Sequence, residues 1–416
     1  MMEYGLLGEK LGHSFSPLIH RIMGDYDYRL YPVSAEEMKK LLAKKRFRGL
    51  NVTIPYKQAV LPYCDEVSEE VKRIGSANTL VVRNGRLSAY NTDLAGFLTM
   101  LKEAGISLAG KKAVILGSGG TSLTARAACE TEGARETVVV SRSGPVDYAE
   151  LYRSHTDAEV LINATPVGMY PKTMVSPVDL ARFPRLCGVV DVIYNPARTA
   201  LILDAEEKGL PHGDALVMLS AQAYYAAQLF LGQSLPESRI WEACAAVRRE
   251  TQNLVLVGMP GSGKTTLGRE IARRMNREFV DLDEEIEAAA GKPIPQIFAE
   301  EGEAAFRQME TQAALQAGKR PGLVIAAGGG AILKRENVRA LLQNGVICLV
   351  RRPVEKLATQ GRPLSAGLEA LRKMEAERGA LYAACADFQI DNIGAVEDAA
   401  SRIMEGFYEA LDPQRA

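Results

Sequence analysis

The sequence predicts an α/β protein built on parallel sheets and divided into more than one domain. Three observations carry that expectation. At 416 residues the chain exceeds what a single hydrophobic core normally supports. Apolar runs of strand length alternate with helix-patterned segments along most of it. Two of those runs, Ala113–Leu116 and Leu254–Val257, each lead into a glycine-rich loop followed by a helical stretch.

In chain order, Tyr4–Leu7, Gly49–Ile54 and Thr79–Val82 read as strands, the last ending at the turn-forming pair Asn84-Gly85. Helices are expected over about 16–24, 34–44 and 57–72. Residues 1–100 therefore form an N-terminal α/β domain. Residues 101–215 keep a β-α-β rhythm, with strands at 113–116, 137–141, 159–163 and 188–192 and a helix at 121–132. That is the pattern of a doubly wound, Rossmann-like domain. Residues 216–247 read as helical and apolar on one side (Met218, Leu219, Ala223, Phe230) and complete the first domain. Residues 248–252 are a short polar linker, a tight connector with little Gly, Pro or Ser. A further α/β domain, with a parallel sheet, runs over 253–416.

Composition narrows the function classes. Fifty basic against fifty-one acidic residues leave a net charge of −1, which gives no electrostatic case for nucleic acid or membrane as partner. The six cysteines (64, 129, 187, 244, 348, 385) form no CxxC pair and suit reduced thiols in a cytoplasmic protein. The first residues, MMEYGLLGEKLGHS, lack a basic segment followed by a long apolar one, and no stretch reaches membrane-spanning length. The four histidines (13, 20, 155, 212) never fall at ligand spacing, which argues against a zinc site. Small-molecule substrates are the expected partners, with the oligomeric state open.

The first glycine loop is Gly117-Ser118-Gly119-Gly120-Thr121. Such a turn brings backbone close to a pyrophosphate and aims helix N-terminal amides at it. Some twenty residues on, the next strand ends at Ser141-Arg142-Ser143. An acidic residue there would bind a ribose 2′-hydroxyl. A cation flanked by two hydroxyls suits a 2′-phosphate instead, so NADP(H) is the expected cofactor. Reduction of a carbonyl also needs a proton donor, and a lysine near a carboxylate, such as Lys57 with Asp93, can serve.

Four stretches in order, His13-Ser14-Phe15-Ser16-Pro17, Asn51–Lys57, Ser76–Thr79 and Asn91-Thr92-Asp93, resemble shikimate dehydrogenase over residues 3–245. Ile162–Met169 and Asp191–Pro196 resemble the same family's cofactor-domain motifs. The resemblance implies that Ser14 and Ser16 bind the substrate carboxylate. It implies that Thr53, Asn78, Asp93, Tyr194 and Gln222 hold the rest of the substrate, and that Lys57 with Asp93 is the catalytic pair. Thr165 and Gly213 join the glycine loop and Ser141–Ser143 around the cofactor. Thr121-Ser122 and Val217 depart from the smaller residues commoner in that family.

The second loop, Gly258 to Gly261-Ser262-Gly263-Lys264-Thr265-Thr266, is a full Walker A sequence, or P-loop. Its amides wrap phosphates, Lys264 meets the β/γ oxygens, and Thr265 reaches Mg²⁺, so ATP is expected. Asp281 and Asp283 follow the next strand, and strand alternation would put both on one side, Asp281 toward metal and Asp283 toward a polyol. Arg307, on a helix, can grip a carboxylate with its planar fork. Gly328-Gly329-Gly330 lets a substrate approach bare backbone. Together these resemble shikimate kinase over 253 to about 410. That resemblance assigns Asp283, Arg307, Gly329, Gly330 and Arg378 to the substrate, Lys264 and Arg362 to phosphate, and Thr265 with Asp281 to Mg²⁺. The lid motif Arg362-Pro363-Leu364 is preceded by only Gln360-Gly361 after the helix end at Leu357-Ala358-Thr359, shorter than is usual in that family.

The expected function is bifunctional: NADPH-dependent reduction of 3-dehydroshikimate, then ATP-dependent phosphorylation of the shikimate formed. The rivals are quinate oxidation with NAD beside a kinase of altered acceptor, against which Arg142 speaks, and a non-catalytic metabolite sensor. The retention of Lys57, Asp93, Lys264, Asp281 and Asp283 speaks against the sensor.

Overall fold

The computed structural model describes residues 3–12, 14–357 and 367–412. It divides into two compact units, Met1–Val247 and Arg248–Ala416. The first unit opens with β1 (Tyr4–Gly8), α1 (Ser16–Met23), β2 (Tyr28–Pro32), α2 (Ala35–Lys44), β3 (Gly49–Val52), β4 (Glu66–Val67), α3 (Glu69–Ile74), β5 (Thr79–Arg83), β6 (Arg86–Tyr90) and α4 (Asp93–Glu103). Among the described residues six strands make a mixed sheet in the order β2-β1-β3-β5-β6-β4. The β5–β6 hairpin turns at Asn84 and Gly85, both with positive φ (52° and 76°), the conformation that Asn-Gly favours.

The second layer of the unit follows: β7 (Lys112–Leu116), α5 (Gly120–Thr131), β8 (Glu136–Val140), α6 (Tyr148–Ser154), β9 (Val160–Asn163), β10 (Gly188–Asp191), α7 (Ala200–Glu207), β11 (His212–Gly213), α8 (Ala215–Leu231) and α9 (Ser238–Thr251). Its strands form an all-parallel sheet, β11-β10-β9-β7-β8. The chain leaves β7 to one side and then returns past it to β9, so the ends of β7 and β9 flank a topological switch point, where ligands bind in such sheets. Phe97 and Met100 of α4, Ile115 of β7 and Ala221 of α8 are fully buried in one core that joins the helices to this sheet.

Two expectations about this part of the chain are corrected. Residues 57–72 are not one helix: Pro62 sits in a single 3-10 turn, β4 pairs with β6, and Ser68 caps a separate α3 by accepting from Val71 N. Proline lacks the amide a helix interior needs, and Asp65 instead accepts from Leu87 N, which holds the segment extended beside the sheet. The helices expected over 216–247 are present as two, because Gly232 closes α8 in the left-handed region and Pro236 follows before α9. Arg248–Thr251, expected as a connector, is the last turn of α9.

The second unit contains β12 (Asn253–Val257), α10 (Lys264–Met275), β13 (Phe279–Asp281), α11 (Leu282–Ala290), α12 (Ile294–Glu300), α13 (Gly302–Gly318), β14 (Val324–Ala326), α14 (Arg335–Leu342), β15 (Gly345–Arg351), α15 (Leu368–Cys385), β16 (Phe388–Asp391) and α16 (Val396–Ala410). Its sheet is all parallel, β13-β14-β12-β15-β16, with apolar cores on both faces. Arg362, Gln360 and the rest of the lid motif lie outside the described residues. Leu357, expected at a helix end, follows a single 3-10 turn.

A buried histidine gives the first unit a pH signature. His20 of α1 is fully buried, stacks on Tyr28 with ring centroids 3.8 Å apart, and shares a 2.6 Å hydrogen bond between Nδ1 and the Tyr26 hydroxyl. Burial pushes its imidazole down to about 3. The folded ring therefore stays neutral while the unfolded chain protonates below about 6.5, so stability falls as pH drops from 6.5 toward 3. His20→Phe keeps the stack and removes the titration. Its unfolding free energy is expected to fall less steeply than the parent's over that window, by up to about 1.4 kcal/mol per pH unit, in urea melts. Equal slopes would refute this account.

Candidate active sites

In the first unit a cavity of about 190 Å³ opens between the mixed sheet and the parallel one. Ser14, Ser16, Thr53, Lys57, Asn78 and Asp93 line it, and Tyr194, Gln222 and Thr121 reach it from the other layer. The sequence-expected substrate residues are thus brought together. Lys57 Nζ lies 2.5 Å from Asp93 Oδ2, with side chains only 21% and 12% exposed. Asn78 Nδ2 donates to Asp93 Oδ1 (2.8 Å) and faces Gln222 Oε1 at 3.3 Å. Each oxygen of Asp93 therefore has its own donor, and the residue opens α4, where the helix dipole favours a negative charge. Ser14 Oγ donates to Ser16 Oγ at 3.1 Å and accepts from Ser16 N at 3.2 Å, leaving two hydroxyls side by side for an anion.

Asn51 also lines this cavity, although the sequence reading gave it no role. It accepts from the Tyr28 hydroxyl (2.8 Å) and donates to Thr79 Oγ1 (3.1 Å), which fixes its amide. Its place at the head of the quoted Asn51–Lys57 stretch was the available signal.

The first glycine loop sits at the end of β7. Gly117 has φ 106°, and a Cβ there would press to 3.0 Å on the Ala164 carbonyl and the Thr165 methyl. Ser118, Gly119 and Gly120 are exposed, and no side chain caps α5, so its first-turn amides face an open cradle that fits a pyrophosphate. Thr121, in the first turn of α5, also lines the substrate cavity, so the helix that starts at the cradle borders both. Ser141 N donates to Val146 O (3.0 Å), folding Ser141–Ser143 into a turn after β8 with Arg142 exposed. Gly213 is buried at the end of β11, and Val217 is buried in α8.

In the second unit a cavity of about 520 Å³ spans the Walker loop and the triple-glycine segment. Gly261, Gly263, Thr265 and Thr266 line it, with Lys264 whose Nζ donates to Gly258 O (2.9 Å) and Met259 O (3.1 Å). Ser262 is buried beneath the loop. Thr265 Oγ1 donates to Asp281 Oδ2 at 2.7 Å. A hydroxyl and a carboxylate so placed fit Mg²⁺, which takes oxygen ligands and retains water.

The strand-alternation argument for Asp281 and Asp283 is corrected. Asp281 ends β13 and caps α11, accepting from Asp283 N at 3.0 Å, so Asp283 stands in the first helical turn. Both still line the cavity. Arg307 NH1 donates to Glu310 Oε2 (2.9 Å) and its Nε and NH2 to Glu303 Oε1. Glu310 is 1% exposed, and burial raises its carboxyl despite the pull of Arg307. Arg378 NH1 (3.1 Å) and the Tyr382 hydroxyl (2.5 Å) both donate to Gly329 O. Glu310, three residues past Arg307 on the same helix face, was legible from spacing; Arg352, which lines the cavity at the exit of β15, carried no sequence signal.

Comparison with known proteins adds independent findings. The family model for the shikimate dehydrogenase substrate binding domain matches residues 6–80, and that for shikimate kinase matches 260–408. A shikimate dehydrogenase (NADP(+)) of Clostridium beijerinckii is 32% identical over 272 residues, 61% of this chain and 97% of its own length. One from Caldanaerobacter subterraneus is 34% identical, covering 58% of this chain and 95% of its own. Among solved structures, a chorismate mutase/shikimate 5-dehydrogenase fusion protein from Clostridium acetobutylicum aligns with TM-score 0.55 at 36% identity, over 58% of this chain and 95% of that one. The Thermus thermophilus shikimate 5-dehydrogenase in complex with NADP(H) and shikimate aligns with TM-score 0.54 at 33% identity, over 60% and 99%.

The second cavity yields a geometric prediction. A Cβ on Gly330 would lie 2.1 Å from Arg307 NH1, a flexible tip rather than backbone. Gly330→Ala is therefore expected to leave unfolding within about 1 kcal/mol of the parent, since overpacking is relieved by moving the guanidinium. It should weaken binding of a carboxylate ligand such as shikimate by about tenfold, the loss of one charge-assisted contact. Calorimetric titration with unchanged affinity would show that Arg307 does not grip the ligand.

Proposed function

This chain belongs to the shikimate dehydrogenase family and carries a shikimate kinase domain, which makes it a bifunctional shikimate-pathway enzyme, and we propose the reactions in detail. The first unit reduces 3-dehydroshikimate to shikimate with NADPH. The second transfers the γ-phosphoryl of ATP to shikimate, giving shikimate 3-phosphate. What supports this most is that each unit sets a grip for an anionic polyol beside its own phosphate cradle: Ser14/Ser16 with Lys57–Asp93 in one, Arg307/Arg378 with Asp283 in the other.

In the first unit NADPH, when bound, supplies the hydride. As negative charge develops on the carbonyl oxygen, Lys57 Nζ donates the proton, which requires a donor within hydrogen-bond reach of that oxygen. Asp93 holds the lysine at 2.5 Å and, with Asn78 and Gln222, orients the ring hydroxyls. Ser14 and Ser16 take the carboxylate with neutral hydroxyls. Arg142 faces the 2′-phosphate that distinguishes NADP from NAD.

In the second unit Mg²⁺, when bound at Thr265 and Asp281, neutralises phosphate charge. With ATP bound, Lys264 would exchange its carbonyl partners Gly258 O and Met259 O for phosphate oxygens, a charge-assisted contact. Asp283 accepts from the attacking hydroxyl and takes its proton as the phosphoryl leaves. Arg307 and Arg378 fix the substrate carboxylate. Arg378 donates to the Gly329 carbonyl and Arg307 lies against Gly330, so both flank the glycine segment where the acceptor would sit.

The two chemistries separate by mutation. Lys57→Ala should lower dehydrogenation by about 10²–10⁴-fold, the usual worth of a positioned acid, with phosphorylation within twofold of the parent. Asp283→Asn should do the converse. Spectrophotometric assays of NADP⁺-linked shikimate oxidation and of ADP release check both. Joint loss in either variant would contradict separate active sites.

A further inference from the structure

One buried carboxylate in the first unit has no part in the reaction described above. Asp191 ends β10, is 1% exposed, and stands opposite Asn163, its register partner at the end of β9. Its Oδ1 accepts from Asn163 Nδ2 and from Ile193 N, both at 3.1 Å, and its Oδ2 accepts from Thr199 Oγ1 at 2.7 Å. Asn163 in turn accepts at Oδ1 from Thr165 N (3.0 Å) and Thr165 Oγ1 (2.7 Å), and Thr165 Oγ1 accepts from Val167 N (3.1 Å). Thr199 is the N-cap of α7 and accepts from Ile202 N.

The chain of bonds has two functional ends. One is the turn after β9: Thr165 and the Ala164 carbonyl lie against Gly117, the first glycine of the cofactor cradle. The other is the turn after β10, where Ile193 N anchors the segment carrying Tyr194 into the substrate cavity. The Tyr194 ring packs edge-on to Phe15, between Ser14 and Ser16, with centroids 5.7 Å apart. Both turns leave adjacent parallel strands; past the strand ends the backbone joins them at Val192 N to Asn163 O (3.2 Å) and, further out, at Tyr170 N to Asn195 O (3.1 Å), and the Asp191 side chain adds the link between Thr165 and Ile193.

We infer that Asp191 is a positioning residue, which sets the spacing between the cofactor-facing turn at Thr165 and the substrate-facing turn at Tyr194. The inference rests on the proposed NADP-linked reaction of this unit. A hydride moves only across a short, aligned gap, so a fixed separation between the two turns acts on turnover directly. The carboxylate is a costly way to build a core. Burial pushes its pKa up to about 7 against the pull of Thr199 and Asn163, so above that pH it sits ionised in a place that disfavours charge. A group that strains stability while tying two functional turns fits a positional role better than a packing one.

Asp191→Leu fills the site with an apolar side chain and cuts all three links, while Asp191→Asn can still accept from Asn163 and Ile193 and donate to Thr199. Asn163→Leu cuts the Thr165 branch, together with the Nδ2 contact to Val167 O (3.3 Å) in the same turn, and leaves the Ile193 and Thr199 links to Asp191. Full-length variants are compared by thermal unfolding, NADP⁺ binding calorimetry, and steady-state oxidation of shikimate by NADP⁺. The expectation is that Asp191→Leu, which leaves three buried donors without their acceptor, unfolds below the parent temperature but stays folded under assay conditions, yet loses about tenfold or more in kcat and in NADP⁺ affinity, and that Asp191→Asn restores most of both. Asn163→Leu should raise the KM for NADP⁺ by about fivefold or more, with the KM for shikimate within twofold. A folded Asp191→Leu with parental kcat and NADP⁺ affinity overturns the inference, as does an Asp191→Asn equally impaired. If Asp191→Leu does not fold, Asn163→Leu decides, and an unchanged KM for NADP⁺ overturns it. A parent chain that oxidises no shikimate fails the functional reading instead; NADP⁺ affinities of the variants then decide, equal values overturning the inference.

Discussion

Both halves of this chain depend on one constraint: an interior strand of a parallel sheet must turn into a helix with bare backbone facing the turn. At Gly117 (φ 106°) and Gly263 (φ 99°) the chain takes a conformation that L side chains rarely adopt. The space this leaves is where a phosphate meets main-chain amides and the positive end of a helix. The other site residues follow from the sheet. All strands of each cradle-bearing sheet run parallel, so the turns after them lie along the same edge as the cradle: 163–168 after β9 and 191–196 after β10 in the first unit, Asp281 after β13 and Gly328–Gly330 after β14 in the second.

The two units meet a similar ligand chemistry with different physics. The first offers neutral hydroxyls and amides around a single ion pair, in a cavity of about 190 Å³. In the proposed reduction, a carbonyl gaining charge would be served there by a cation whose own partner, Asp93, is already held by Asn78. The second carries Lys264, Arg307, Arg352 and Arg378 on a larger cavity, set against Asp281, Asp283, Glu284, Glu287 and Glu310. That excess of paired charge suits a reaction in which phosphate oxygens carry charge from start to finish. Glu310 holds Arg307 in the absence of ligand, so the guanidinium is oriented beforehand rather than recruited from solvent.

Much of the fold was legible because its signals are local. The Asn84-Gly85 hairpin, the strand–glycine–helix units at 113–131 and 254–275, and the Ser34-capped α2 all follow from residues within a few positions of one another. What escaped was set by distant partners. The break in 57–72 depends on β4 pairing with β6, and the two-residue strand carries no pattern of its own. Asp283 was read on a strand because Asp-x-Asp fits alternation; the preference of aspartate for helix N-caps, which Asp281 satisfies, was the competing rule that won. Many of the residues named from motifs line one of the two cavities, since glycine loops and charged pairs tolerate few geometries. Asp191 was visible only as a neighbour of Tyr194, because its burial and its register against Asn163 are properties of the sheet.

The central claim is that one polypeptide performs a reduction and then a phosphorylation on the same carbon skeleton. The most direct test incubates the purified full-length chain with 3-dehydroshikimate, NADPH and MgATP, and quantifies shikimate and its phosphate by mass spectrometry. The account predicts that the phosphate ester accumulates with equimolar NADP⁺ and ADP. NADPH left unconsumed, or shikimate accumulating with no ADP formed, would contradict it.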